Sequence, residues 1–398
     1  MAVASGITLN GSSNSTAHSP TVSHVAPNKL EAYIPAVTTQ SHASNLLLLP
    51  NGDLLCTWFG GLQEGIPDIS IYLARLPANS NTWSSPSKLT YDDTRSEQNP
   101  VLFLTPTEPQ SLWLMYTSQD GGNQDSAVVK KQESYDFGHT WSTPTVLFAE
   151  PGTFIRQPMS VLSTGAWAIP VFYCRAPKGY RWVGNDDISA VRVSHDKGIT
   201  WEEVQVPESY GAVHMRTVAL HDGTYLALYR SRWADFVYSS TSSDGIHWSK
   251  PQPTTLPNPN SGICADVLSD GRVLIVYNDS SADSTMARRK GLYDDIAPKD
   301  DVRLNQPAIH GKEAFWGAPR APLSIAISND GGKSWERAGV IEHGDGFCMT
   351  NDSKGKLNRE LSYPSMAVGA NGDIHIAFTF WRQKIKYVRL NEKSLGEA

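Results

Sequence analysis

The chain has 398 residues, with 34 Lys and Arg against 40 Asp and Glu and a formal net charge of −6. That mildly acidic balance argues against nucleic acid or an anionic membrane as the main partner, because both reward basic patches. Four cysteines in so long a chain exclude a disulfide-built scaffold, and no run reaches the roughly 20 apolar residues of a membrane helix.

The chain opens with MAVASGITLNGSSNSTAHSP, which is rich in Ser, Asn and Thr and has no apolar signal-peptide core. Residues 1–28 are therefore expected to be a flexible lead-in. The compartment, cytoplasmic or secreted after loss of a signal, stays open. Asn-X-Ser/Thr tripeptides stand at Asn10, Asn14, Asn278 and Asn351. Over the whole chain, 31 Gly and 25 Pro mixed with 12 Trp and 15 Tyr suit many short strands joined by turns.

Six segments read as strand, tight turn, strand. In chain order they are LLLLPNGDLLCTW (46–58), VLFLTPTEPQSLWLMY (101–116), VLSTGAWAIPVF (161–172), VALHDGTYLALY (218–229), DVLSDGRVLIVY (266–277) and MAVGANGDIHIAF (366–378). A second series interleaves with them. Ser134, Asp136, Gly138, Thr140 and Trp141 recur as Ser194, Asp196, Gly198, Thr200 and Trp201, and again as Ser328, Asp330, Gly332, Ser334 and Trp335. A shortened copy runs from Ser243 to Trp248, and Asn81, Thr82 and Trp83 are a worn remnant. Each copy is a hairpin: Asp folds onto nearby amides, Gly takes a positive φ, and Trp packs beneath.

Interleaved repeats of this period predict an all-β, six-bladed β-propeller with four strands per blade. Inner strands are expected to start near His42, Asn99, Arg156, His214, Gly262 and Tyr363. The fifth unit carries a polar insertion at about 280–318, read as a pocket lid or a contact surface. The sixth lacks a box, so KLEAYIPAV (29–37) is expected to supply its missing strand and close the ring within one domain, 29–398. Seven blades are the alternative, if the N-terminal 40 residues form an extra sheet.

Asp-boxes at this spacing resemble the sialidase (neuraminidase) superfamily of BNR-repeat propellers, over about residues 30–392. NGDLLCTWFGG, RAPLSIAISNDGGKSW and SYPSMAV are similar to its sialidase-like branch. The resemblance implies an axial pocket in which three arginines hold a substrate carboxylate, a Tyr activated by a Glu is the nucleophile, and an Asp is the acid/base. Carried onto this chain, Tyr363 matches the nucleophile, Arg230 or Arg232 the second arginine and Arg320 the third. His42 replaces the first arginine, and His214 replaces the activating Glu. Glu360 could substitute for that Glu if its loop folds inward. Asp68 is the first candidate for the acid/base, with Glu64 second.

His42, His214, Arg156 and Arg216 all sit at inner-strand starts and are expected to face the common axis that the resemblance makes the pocket, with Asn99, opening the second unit, a further binding candidate. Guanidinium forks match carboxylates bidentately, so such a ring suits an acidic carbohydrate or another carboxylate-bearing small molecule. Sialidase-like exo-glycoside hydrolysis is the favoured activity. The alternatives are β-elimination of a uronate polysaccharide with a His or Tyr base, and a non-catalytic glycan-binding propeller. No cofactor or metal is expected, because Cys56, Cys174, Cys264 and Cys348 have no paired spacing and no glycine-rich nucleotide loop occurs. Oligomeric state is not legible.

Overall fold

A computed structural model describes residues 18–296 and 302–395. Six antiparallel sheets of four or five strands radiate from one axis. Their innermost strands are Gln40–Leu48, Arg95–Leu104, Thr153–Phe154, Ala212–Ala219, Cys264–Val267 and Leu361–Val368. Each then meanders outward; blade four, for example, continues through Tyr225–Ser231, Phe236–Ser242 and Gln252–Pro257. Alternating apolar residues on the two faces of each sheet pack against the neighbouring blades. The core is accordingly a series of interblade layers rather than one central mass, such as Trp58 with Tyr387 between blades six and one, or Leu228 with Ile275 between blades four and five.

Blade six closes the ring as expected. Lys29–Ile34 pairs antiparallel with the third strand, Lys384–Asn391, so chain segments from both ends share one sheet. Ser23–Ala26, expected within the lead-in, adds a fifth strand to the same sheet. Among the described residues the N-terminal side thus extends blade six and forms no seventh blade. Asn10 and Asn14 lie outside the described residues. Asn278 and Asn351 are buried, their amide groups donating to Leu361 O and Leu292 O, so neither presents a glycan acceptor in this fold.

The box hairpins connect third and fourth strands. In the first, Asp136 Oδ1 accepts the N–H groups of His139 and Thr140, Oδ2 accepts the Thr140 hydroxyl at 2.6 Å, and Gly138 N–H donates to Ser134 Oγ at 2.7 Å. Asp196 and Asp330 repeat the pattern. Because third strands start at the end where inner strands start, every box lies on the opposite face of the ring from the inner-strand starts.

One further repeat sits at that other end. In blades one, two, four and six the inner strand bulges, so that two of its residues oppose one on the second strand. The first residue of each bulge is left-handed and is not glycine: Ala43 (φ +60°), Asn99 (+50°), His214 (+56°) and Tyr363 (+52°). The residues opposite are Trp58, Tyr116, Tyr229 and Phe378, all buried. Left-handed non-glycine residues cost on the order of 1–3 kcal/mol each and persist where the surroundings enforce them. A bulge also re-aims a side chain, and here two of the four re-aimed side chains, His214 and Tyr363, meet at the axis.

Candidate functional site

Tyr363 is the centre of the inner-strand end. Its ring lies within 6 Å of three guanidinium carbons: Arg156 at 5.3 Å, Arg230 at 5.4 Å and Arg320 at 5.8 Å. Two imidazoles flank it, His42 at 4.3 Å and His214 at 5.5 Å between ring centroids. The phenol oxygen accepts a hydrogen bond from Arg230 Nη1. Arg230 also donates from Nε to Asn260 Oδ1 at 2.7 Å and lies 3.5 Å from His214 Nε2. Arg156 reaches across from blade three to the carbonyls of Ser44 and Tyr363. All these side chains are buried.

Glu360 is folded inward, as its candidacy required, and is fully buried. Asn358 Oδ1 accepts its N–H, and Trp381 N–H donates to its carbonyl. Its carboxylate faces Arg320 Nη1 at 3.2 Å, Arg382 Nε at 3.2 Å, Ser362 Oγ at 2.6 Å and His42 Nδ1 at 3.6 Å. Burial pushes this carboxyl up, but Arg382 and Arg320 outweigh burial and hold it well below the usual range. Glu360 is therefore an ionised clamp on two arginines. Among the described residues it hydrogen-bonds neither Tyr363 nor His42, whose Nδ1 is instead 2.8 Å from Thr379 Oγ1.

Charge is unbalanced here. Five buried guanidiniums (Arg156, Arg230, Arg232, Arg320 and Arg382) face three buried carboxylates (Glu64, Glu360 and Asp187). Arg382 pairs with Glu64 and Glu360, Arg320 with Glu360, and Arg232 with Asp187 at 2.8 Å. Among the described residues Arg156 and Arg230 have no carboxylate partner. Burial lowers Arg156 to about 10 and Arg230 to about 9. Both imidazoles are pushed well down, by burial first and then by neighbouring guanidiniums, so they are neutral near pH 7. His42 Nε2, His214 Nδ1, Arg156 Nε and Arg320 Nε are buried without a hydrogen-bond partner.

The structure thus brings Tyr363, His42, His214, Glu360, Arg156, Arg230 and Arg320 into one cluster, with Arg232 beside it and Glu64 joined through Arg382. Asn99 occupies the equivalent bulge on blade two. Two expected residues stand apart. Arg216, two positions past His214, does not reach Tyr363: it binds Ala265 O at 2.7 Å and Asp266, and lines a small cavity between inner strands with Arg156, Asn45 and Ser365. Asp68 accepts the Leu62 N–H at 2.6 Å and lines a separate cleft of about 730 Å³ with Tyr72, Lys88, Lys356 and Lys384.

Arg382 was not singled out from the sequence. It follows the second strand of blade six just as Arg230 and Arg232 close that of blade four, and this positional rule would have found it. Nor were Trp316 and Tyr293. Among the described residues of the insertion, Leu292, Tyr293, Ala314 and Trp316 pack with Phe154, Phe172, Trp182 and Val213 as a roof. The Trp316 ring lies 5.8 Å from the Arg230 guanidinium and 5.2 Å from that of Arg232.

A six-bladed ring with box hairpins on one face and an arginine-rich axial cluster on the other defines a propeller of the Asp-box type. The profile of the BNR repeat-like domain matches residues 52–376, and the chain belongs to that family. No curated protein sequence matches it. Among solved structures, the Hadza microbial sialidase Hz136 superposes with a TM-score of 0.66 at 14% identity, covering 90% of this chain and 66% of that one. The intramolecular trans-sialidase from Ruminococcus gnavus, in complex with oseltamivir carboxylate, gives 0.63 at 13% identity over 92% and 98%. Trypanosoma rangeli sialidase, in complex with sialic acid, gives 0.60 at 12% over 89% and 55%. This chain spans just under two thirds of the first of these proteins and little more than half of the third. The fold is that of a sialidase-like BNR-repeat protein. Among the described residues no helix is long and apolar enough to cross a membrane.

Proposed function

We propose that the axial cluster binds a carboxylate-bearing sugar and cleaves its glycosidic bond, as a sialidase-like exo-glycoside hydrolase. The observation that carries this reading is the pair of buried guanidiniums, Arg156 and Arg230, set against Tyr363 with no carboxylate partner among the described residues. A buried charge without a counter-ion is costly, and a substrate carboxylate supplies the missing ion. A flanking neutral imidazole, His42 or His214, takes the phenol proton of Tyr363, whose oxygen also accepts a hydrogen bond from Arg230 Nη1. That oxygen attacks the anomeric carbon as the glycosidic C–O bond breaks, in keeping with the Tyr nucleophile of sialidases. The leaving oxygen takes a proton from Asp68, whose carboxyl burial raises. Asp68 serves this step only with the Leu62–Ile69 loop turned toward the axis.

A second reading, β-elimination of a uronate, is favoured by the two neutral imidazoles. His42 Nε2 and His214 Nδ1 are unpartnered bases beside Tyr363. With the carboxylate neutralised by arginine, one imidazole takes the proton from the adjacent carbon, a C=C bond forms, and the departing oxygen takes a proton from Tyr363.

Two assays separate the readings. Hydrolysis releases the fluorophore from an aryl sialoside or aryl uronide, and Tyr363→Phe abolishes that release. Elimination instead produces the ultraviolet absorbance of an unsaturated uronate. Full activity in Tyr363→Phe overturns the nucleophile assignment, and binding of these glycosides without turnover supports a lectin-like propeller.

A further inference from the structure

Several hydrogen bonds tie the roof to the ring, and one of them centres on a buried phenol. Tyr293 is buried, and its oxygen lies 2.9 Å from Gln119 Nε2, 3.1 Å from Gln124 Nε2 and 3.5 Å from Gln98 Nε2. All three glutamines are buried on the axial face of blade two. Gln98 precedes the bulge residue Asn99, and Gln124 Oε1 accepts from Cys174 Sγ, the cysteine beside the Arg232–Asp187 pair. Apolar contact continues from Tyr293 through Phe154 and Phe172, and the Phe172 ring lies 4.9 Å from His214. The glutamine cluster is therefore continuous with the site around Tyr363.

The phenol satisfies this cluster poorly. Three amide donors converge on one oxygen that accepts at most two strong bonds. Gln119 Oε1, on a side chain with no exposed surface, has no partner. Buried amides are ordinarily paired at both ends. Two adjacent hydroxyl groups would complete the set, offering two oxygens to the amide N–H groups and a proton to Gln119 Oε1.

We infer that Gln98, Gln119 and Gln124 form a subsite for a vicinal hydroxyl pair of the sugar held by the axial arginines, and that Tyr293 fills it until the sugar displaces it. This inference rests on the axial site taking an acidic sugar, and it adds which groups read the hydroxyls and what closes the site. Gly65 supports the closed arrangement. It is left-handed at φ +95°, and a Cβ there would stand 2.6 Å from Tyr293 Cε1 and 2.7 Å from Ile296 Cδ1.

Titration calorimetry with N-acetylneuraminic acid and with glucuronic acid tests it on the full chain. Tyr293→Phe removes the competing hydroxyl and is expected to tighten binding of at least one acid about fivefold, the worth of one hydrogen bond. Gly65→Ala, which presses on the same ring, is expected to act in the same direction. Gln119→Leu is expected to weaken binding about tenfold, since it removes both amide functions. Tighter binding after loss of a hydroxyl is not what a purely structural strut would produce. Equal affinity in wild type, Tyr293→Phe and Gln119→Leu overturns the subsite and leaves the axial reading standing. If neither acid binds any of these proteins, the axial reading falls and takes the subsite with it.

Discussion

The two faces of this ring treat polar groups in opposite ways. On the box face the box carboxylates are saturated locally: the Thr200 hydroxyl and amide, with Ser194, hold Asp196 down to about 2, and Asp330 is held similarly. Those contacts lie within eight residues of sequence and recur blade after blade. On the axial face the polar groups come from five blades, guanidiniums outnumber carboxylates, and one ring nitrogen each of His42 and His214 has no partner. One face is built for stability. The other keeps unmet hydrogen-bonding capacity and unpaired charge, which is what a ligand can satisfy.

The strongest way to break this contrast is Tyr363→Phe. It leaves the ring packing in place and is expected to reduce aryl glycoside cleavage to the background rate; retention would show that the unsatisfied face has another role. Glu360→Ala should be the most destabilising change on the axial face. Removing one member of a buried ion network leaves Arg320 and Arg382 uncompensated, at a cost of about 3–5 kcal/mol in urea unfolding. Little loss there would mean that the axial charges are solvated.

Gly198→Ala probes the box face. The glycine is left-handed at φ +89°, and a Cβ would lie 2.5 Å from Trp113 Cη2, so a loss of about 1–3 kcal/mol is expected without any change in substrate affinity. A change in affinity would couple the faces that the contrast holds separate.

Acid should act through the axial face first. His42 and His214 have folded-state pKa values below their unfolded value of about 6.5. The unfolded chain therefore binds more protons, and stability present above about pH 6.5 is lost as pH falls. Glu360 extends the loss further down, since its depressed folded pKa contributes stability above about pH 4.3 that fades as pH drops through the carboxylate range. A flat unfolding midpoint between pH 7 and 5 would contradict buried neutral histidines. The smallest expected effect is on stability in Arg230→Met. Removing a buried guanidinium that lacks a carboxylate partner should change stability by less than about 1 kcal/mol, in either direction, while acid binding is lost.

Most of the ring was legible because its signals are local. Asp136, Gly138 and Trp141 sit within one turn, and the turns at Asn51-Gly52 and Asn371-Gly372 join strands that follow one another directly in the chain. Even the closing strand, Lys29–Ile34, could be inferred from the box missing in blade six. The axial cluster was legible in part. Tyr363, His42, His214 and Glu360 lie where inner strands begin, and that position alone brought them together. Arg216 opens onto a small cavity beside Arg156 and not onto Tyr363, since it lies further along the inner strand than the bulge at His214. An aromatic residue opposite each bulge (Trp58, Tyr116, Tyr229 and Phe378) was present in the sequence but marks a bulge only in retrospect.

Local chemistry, then, determined by itself that this chain forms a six-fold ring of hairpins with cationic residues opening its inner strands, because hairpin geometry depends on residues a few positions apart. Tertiary structure alone decided which arginines have carboxylate partners, that Arg382 joins Glu64 to Glu360, and that Tyr293 and Trp316 close over the axis. Those contacts join side chains up to more than three hundred positions apart, and no short-range rule connects such residues until the ring has closed.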